Sequence, residues 1–219
     1  AKKRKQNRSG LNKSAPDEDK PFEGKSMAMI FEKPSTRTRM SFDIAVKQLG
    51  GSSIILNPDG IHYGKGEETL KDTAKVLSEY VDIVMLRTSS HKNLEEFGKH
   101  LDIPIINGLS DVSHPCQIMA DILTVYEHRG NLDDMKIVYV GDGNNIVHSW
   151  LHLAARIPFH FTCVCPEGFE PDESTIQLVE DAGISTVEVM HDPKAGVVGA
   201  DLIYTDTCCL LYTSPSPRD

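Results

Sequence analysis

Phe31-Glu32-Lys33-Pro34-Ser35-Thr36-Arg37-Thr38-Arg39 stands where one periodicity gives way to another. Before it, Ser26–Phe31 is a short apolar run; after it, Phe42, Ala45, Val46 and Leu49 recur at i, i+3, i+4 and i+7 until Gly50-Gly51. The run reads as a buried strand, the recurrence as a helix with an apolar inner face, and the glycine pair as its stop. The stretch is therefore the turn of a β-α unit. Three hydroxyls and two guanidinium groups at a helix start meet unpaired backbone N–H groups and the positive end of the helix dipole. This is an anion cradle suited to phosphate. A plainer reading is a Ser/Thr cap with solvated arginines. It is not a Walker loop, because GxxxxGK[ST] is absent.

The same alternation continues outward. Ser53–Leu56 reads as a strand, Asn57–Thr69 as a Gly-rich polar loop, and the next helix carries Leu70, Ala74 and Leu77 inward. Strand Asp82–Leu86, helix Leu94–His100, strand Ile103–Asn107 and helix Pro115–His128 follow, the last with Ile118, Ile122 and Tyr126 on its inner face. Gly130-Asn131 reads as a boundary. Beyond it come strands Lys136–Val140, His160–Cys165, Thr186–Met190 and Asp201–Thr205, separated by helices near 146–156, 173–182 and 194–199. Alternation on this scale predicts an α/β protein of two lobes, each a parallel sheet flanked by helices. Ligands in such folds bind at the carboxyl ends of strands. Arg87 falls at one such end. His114-Pro115-Cys116-Gln117 opens a helix with Pro at its favoured first position, so His114 and Gln117 are placed to face a ligand.

Composition narrows the function classes. The 219 residues carry a net charge of −9, which argues against a general polyanion binder. The basic start, seven cationic and three acidic side chains in residues 1–20, reads as a solvated helix running into a loop at Pro16 rather than a nucleic-acid arm. No apolar run is long enough for a membrane helix and none resembles a signal peptide, so a cytoplasmic protein with no membrane partner is expected. Five cysteines without metal-type spacing predict reduced thiols. Gly141-Asp142-Gly143 after a strand is a partial dinucleotide fingerprint, but Ile146 occupies the third glycine position. His148 and His152 lack the glutamate of a zinc-protease motif and read as packed or solvated.

At this point the chain resembles the aspartate/ornithine carbamoyltransferase family, and within it the ornithine-using branch. The matching residues are FEKPSTRTRMSF (31–42), the Arg87 strand end, LSDVSHPCQIMADILT (109–124), GDGNNIVHS (141–149) and YTDT (204–207). The resemblance implies transfer of the carbamoyl group of carbamoyl phosphate to the δ-amine of ornithine, giving citrulline and phosphate. It implies that Ser35, Thr36, Arg37 and Thr38 hold the phosphate, and that Arg87, His114 and Gln117 address the bridging and carbonyl oxygens and the amide. His62, in the loop after the second strand, would reach a neighbouring subunit's carbamoyl phosphate site, which implies a homotrimer. Asn145 and Asp206 would take the α-amino and carboxylate end of ornithine. Fixed donors around a tetrahedral oxyanion and a departing phosphate suit this chemistry, and the activated leaving group needs no metal or organic cofactor. The implied division is a carbamoyl phosphate-binding domain at 1–130 and an ornithine-binding domain at 131–207. The same chemistry serves arginine synthesis or breakdown.

The match stops at Thr207. The family continues into a Trp-x-Ser-Met-Gly stretch and a His-Cys-Leu-Pro segment, and Cys208-Cys209-Leu210-Leu211 does not supply either. Residues 208–219, with their Ser/Pro tract, read as a non-native tail, and the second lobe as incomplete. Two alternatives follow: a fragment that only binds carbamoyl phosphate, or a carbamoyltransferase for another amine such as putrescine.

Overall fold

The computed structural model describes residues 2–8, 10–57 and 68–206. His62 and residues 208–219 lie outside them. Contacts group the chain into two compact units, residues 1–111 and 112–219.

The first unit opens with α1 (Lys2–Asn7), a helix with no buried side chain, tied down where Arg4 and Arg8 pair with Asp17. Then come β1 (Ser26–Phe31), α2 (Thr36–Gln48), β2 (Ser52–Leu56), α3 (Leu70–Tyr80), β3 (Ile83–Arg87), α4 (His91–His100) and β4 (Ile105–Leu109). All strands are parallel, in the order β2-β1-β3-β4. Alternate residues of a strand face opposite sides, and both sides are covered. Ala28, Ile30, Val84 and Leu86 pack with Ala74, Leu94 and Phe97 of α3 and α4, whereas Met27, Met29 and Met85 pack with Val46 of α2. Only Val46 of α2 is buried; Ala45, expected inward, lies exposed at the edge of the stripe.

β4 begins two residues later than the expected Ile103–Asn107. Pro104 has no N–H to give the ladder, and its carbonyl accepts from Val84 before the strand proper begins. Gly108 lies inside β4 because a Cβ there would fall 2.3 Å from the Met85 sulfur.

The second unit holds α5 (Pro115–Arg129), β5 (Lys136–Val140), α6 (Asn145–Ala154), β6 (His160–Val164), α7 (Glu173–Ala182), β7 (Thr186–Met190), α8 (Pro193–Gly196) and β8 (Leu202–Tyr204). Its parallel sheet runs β7-β6-β5-β8. Trp150 is wholly buried between Phe159, Phe161 and Tyr204. Ile118 and Ile122 of α5 join that same core, which sets α5 with the second unit; Tyr126, in its last turn, stays 39% exposed.

Both sheets share one topological feature. In the first, the chain leaves β1 to one side for β2 and returns on the other as β3; in the second, it leaves β5 for β6 and returns as β8. In the first sheet the loops after β1 and β3 therefore leave to opposite sides, and β5 beside β8 repeats the reversal of strand order; α/β sheets bind ligands in the crevice at the strand carboxyl ends of such switch points.

Candidate active site

In the first unit the crevice lies between the ends of β1 and β3. Their register sets Phe31 beside Arg87, and the Glu32 N–H donates to the Arg87 carbonyl at 2.9 Å. Ser35 is the N-cap of α2, its hydroxyl accepting from the Thr38 N–H at 3.4 Å. Ser35 thus caps the helix, and Thr36 and Arg37 of the same first turn are exposed. Arg87 changes the meaning of that turn. Its Nη1 donates to Thr38 Oγ1 at 3.1 Å, its Nε is buried without a hydrogen-bond partner, and burial lowers its pKa. Among the described residues no carboxylate pairs with it. A partly buried guanidinium with no counter-ion, beside a helix N-terminus, is set to receive an anion.

A contact the sequence reading missed holds Arg87 there. Glu32 accepts from the hydroxyl of buried Thr88 and from the Ser89 N–H, latching the turn after β1 to the turn after β3. Glu32 lies inside the quoted motif, but its partner is 56 residues away, so nothing local announces the latch.

In the second unit, His114 is the N-cap residue of α5 and makes no side-chain capping bond. Its backbone N–H donates to Ser149 Oγ at 2.7 Å, and that hydroxyl donates to the Asn145 carbonyl at 2.7 Å. This relay joins the start of α5 to the start of α6. Asn144 rather than Asn145 caps α6, its Oδ1 accepting from the Ile146 and Val147 N–H groups while its Nδ2 donates to the Tyr139 hydroxyl at 3.1 Å. Asn145 is the first residue of the helix itself, at the β5 side of the crevice, and exposed Asp206 follows β8 on the other side. The register pairs Tyr139 with Tyr204, whose rings stack at 6.0 Å between these two loops.

This crevice is acidic. Burial pushes the Tyr139 and Tyr204 hydroxyls far above their ordinary values, and Asp206 adds to both shifts. Burial likewise raises Asp121 of α5, with the Asp206 charge adding to it. Asp142 is buried, and its Oδ1 has no hydrogen-bond partner.

Other sequence features take structural roles. A Cβ on Gly143 would fall 2.2 Å from the Pro171 nitrogen, so this glycine admits a neighbouring loop, and Ile146 is core. His148 is buried, with Nδ1 on the Val112 carbonyl at 3.3 Å and Nε2 accepting from the Asp172 N–H at 3.2 Å. Burial raises the Cys116 thiol, the opposite of an activated nucleophile. Among the described residues no helix is long and apolar enough to cross a membrane, and no group of three His, Cys, Asp or Glu side chains could hold a metal ion.

The fold defines a protein of two parallel α/β units, each with a topological switch point, one lined by cationic groups and one by acidic groups. The carbamoyl-P binding domain of the aspartate/ornithine carbamoyltransferases matches residues 1–127, and their Asp/Orn binding domain matches residues 133–214. The chain belongs to the aspartate/ornithine carbamoyltransferase family. It is 56% identical over 196 residues to the chloroplastic ornithine carbamoyltransferase of Pisum sativum, an alignment covering 90% of this chain and 52% of the pea protein. With the ornithine carbamoyltransferase of Rhizorhabdus wittichii it shares 46% identity, over 93% of this chain and 65% of that one. The chain thus spans between half and two thirds of the length of these relatives. The solved ornithine carbamoyltransferase of Pyrococcus furiosus superposes with a TM-score of 0.86 at 41% identity, covering 97% of this chain and 68% of that one. An N-acetyl-L-ornithine transcarbamylase superposes with a TM-score of 0.76 at 29% identity, over 86% of this chain and 66% of that one.

Proposed function

We propose that this chain transfers the carbamoyl group of carbamoyl phosphate to the δ-amine of ornithine, releasing citrulline and phosphate. The observation that carries the reading is Arg87, a partly buried cation without a carboxylate, bonded to Thr38 where the cradle turn meets the neighbouring strand end. Ser35, Thr36, Arg37 and Thr38 take the phosphate through hydroxyls, the α2 N-terminus and the Arg37 fork. Arg87 and His114 face the bridging and carbonyl oxygens, and Gln117 the amide. Asn145 and Asp206 take the α-amino and carboxylate end of ornithine.

The neutral δ-nitrogen attacks the carbonyl carbon and a tetrahedral oxyanion forms; the nitrogen's proton passes to an oxygen of the phosphoryl group, and as the carbonyl reforms the carbon–oxygen bond breaks and hydrogen phosphate leaves. Donors held on rigid elements around both charges lower that barrier without reorganising at the moment of reaction. The functional division proposed is 1–130 for carbamoyl phosphate and 131–207 for ornithine. Assembly as a homotrimer, with His62 serving a neighbour's site, is proposed alongside it, and light scattering during gel filtration checks the mass. A cytoplasmic location is also proposed; the pea relative is named chloroplastic, and cell fractionation decides between the two.

Citrulline formation beside calorimetry with carbamoyl phosphate tests the reading. Arg37→Ala should lower turnover by orders of magnitude, and near-normal turnover removes the role assigned to it. A second reading is favoured by the share of the relatives' length that this chain spans: binding of carbamoyl phosphate without turnover. Calorimetric binding with no citrulline identifies it. Competing amines, putrescine and N-acetylornithine among them, test whether the acceptor is ornithine.

A further inference from the structure

We infer that Asp121 is a positioning residue that fixes which way round the Gln117 amide is held, and thereby makes the site selective for a carbamoyl over an acyl group. The inference rests on the reading of Gln117 as a carbamoyl phosphate ligand and adds the device that orients it.

Gln117 and Asp121 lie one turn apart on α5, where side chains four residues apart meet. Gln117 Nε2 donates to Asp121 Oδ1 at 3.0 Å. A glutamine side chain is nearly symmetric in shape but not in chemistry, one end being an NH2 donor and the other a carbonyl acceptor. An ionised carboxylate only accepts, so it binds the NH2 end and leaves Oε1 as the end turned elsewhere.

The Tyr204 hydroxyl reinforces that choice. Its effect on the Asp121 carboxyl is to lower the pKa that burial raises, which favours the ionised form. Its approach to the carboxyl is loose, since the buried Oδ2 of Asp121 has no well-formed hydrogen bond. With the NH2 end turned to Asp121, Gln117 presents an acceptor to its ligand. Carbamoyl phosphate offers two N–H donors at its amide; acetyl phosphate, nearly the same size, offers a methyl group. An acceptor facing a methyl group is left unpaired, which costs more than a missing contact does.

Asp121→Asn removes the constraint while keeping the shape, because an asparagine can satisfy either end of Gln117. Calorimetry on the intact protein, with carbamoyl phosphate and acetyl phosphate as separate ligands, reads the outcome. The expected result is a carbamoyl phosphate Kd raised by roughly tenfold, the size of one oriented hydrogen bond, with the acetyl phosphate Kd unchanged or lower. A purely structural role for Asp121 weakens both ligands together, and that result overturns the inference. Gln117→Ala separates the two levels. If it lowers the preference for carbamoyl phosphate and Asp121→Asn does not, Gln117 is a ligand but Asp121 does not orient it. If Gln117→Ala leaves the preference intact, the assignment of Gln117 itself fails. No binding of carbamoyl phosphate to the unmodified protein overturns the proposed function and this inference with it.

Discussion

The two switch points are built on the same topology and do opposite electrostatic work. The one between β1 and β3 is assembled largely from exposed groups at a helix start, with a single partly buried cation, Arg87, behind them. The one between β5 and β8 holds half-buried and buried groups: Tyr139 and Tyr204 stacked between the loops, buried Asp142 just after β5, and Asp121 beside Gln117. An anion such as phosphate can be read by backbone N–H groups and planar cations that remain partly hydrated. Telling an amide from a methyl group, or placing a cationic amino acid, needs polar groups whose partners are fixed, and fixing them requires burial.

Five substitutions test that contrast, from the largest expected effect to the smallest. If the proposed transfer holds, Arg87→Met should cut citrulline formation by about a thousandfold or more, since the role proposed for Arg87 is that of a charge-assisted donor to the reacting group. It should leave thermal stability unchanged or raised, because an uncompensated partly buried charge goes with it. A parallel loss of Tm and activity would mean that Arg87 is structural.

Trp150→Ala strikes the buried side of the contrast. Deleting an indole wholly enclosed by Phe159, Phe161 and Tyr204 should cost about 3–5 kcal/mol in denaturant unfolding. Asn144→Ala removes the α6 cap and leaves the Tyr139 hydroxyl without that donor, for about 1–2 kcal/mol by the same measurement. An equal loss from Ser35→Ala would erase the difference between the two helix starts, since the Ser35 cap bond is long, at 3.4 Å, and its helix buries only Val46.

The smallest effect concerns pH. Burial holds the folded-state pKa of Asp121 above its unfolded value, so the folded protein binds this proton more readily. Stability from this group is therefore present below the unfolded carboxylate pKa and is lost as pH rises through the folded one. Asp121→Asn should raise Tm slightly at pH 7 and flatten the fall in Tm as pH rises above the ordinary carboxylate range. Melting curves across pH 4–8 check it; a lower Tm at pH 7 reverses the sign.

How far the sequence reached can be judged residue by residue. Ser26–Phe31, Lys136–Val140, Thr186–Met190 and the helix at 173–182 were legible to the residue, because each is a run of one period bounded by turn chemistry. The strand at 105–109 was not, since Gly108 looks like a turn residue until the Met85 sulfur beside it is known. Of the candidate site, the structure sets Ser35, Thr38 and Arg87 together in the first unit; in the second, His114 and Gln117 lie at the start of α5, Asn145 at the start of α6 and Asp206 after β8. His62 lies outside the described residues. Glu32, Asp121, Ser149 and Tyr204 were missed as supporting groups although each sits inside or beside a quoted motif.

The sequence alone determined what is periodic or chemically local: the alternation of strand and helix, the placing of Pro115 at a helix start, and a run of hydroxyls and guanidiniums at a strand end. Such signals are carried by residues within a turn or two of one another, so they survive without the rest of the chain. Only the tertiary structure decided that β1 and β3 are neighbours, which brings Arg87 to Thr38 across 49 residues, and that β5 and β8 are neighbours, which stacks Tyr139 on Tyr204 across 65. Strand order is a choice among many pairings of similar local preference. It is settled by which arrangement buries both faces of each sheet at once, and that is a property of the whole fold.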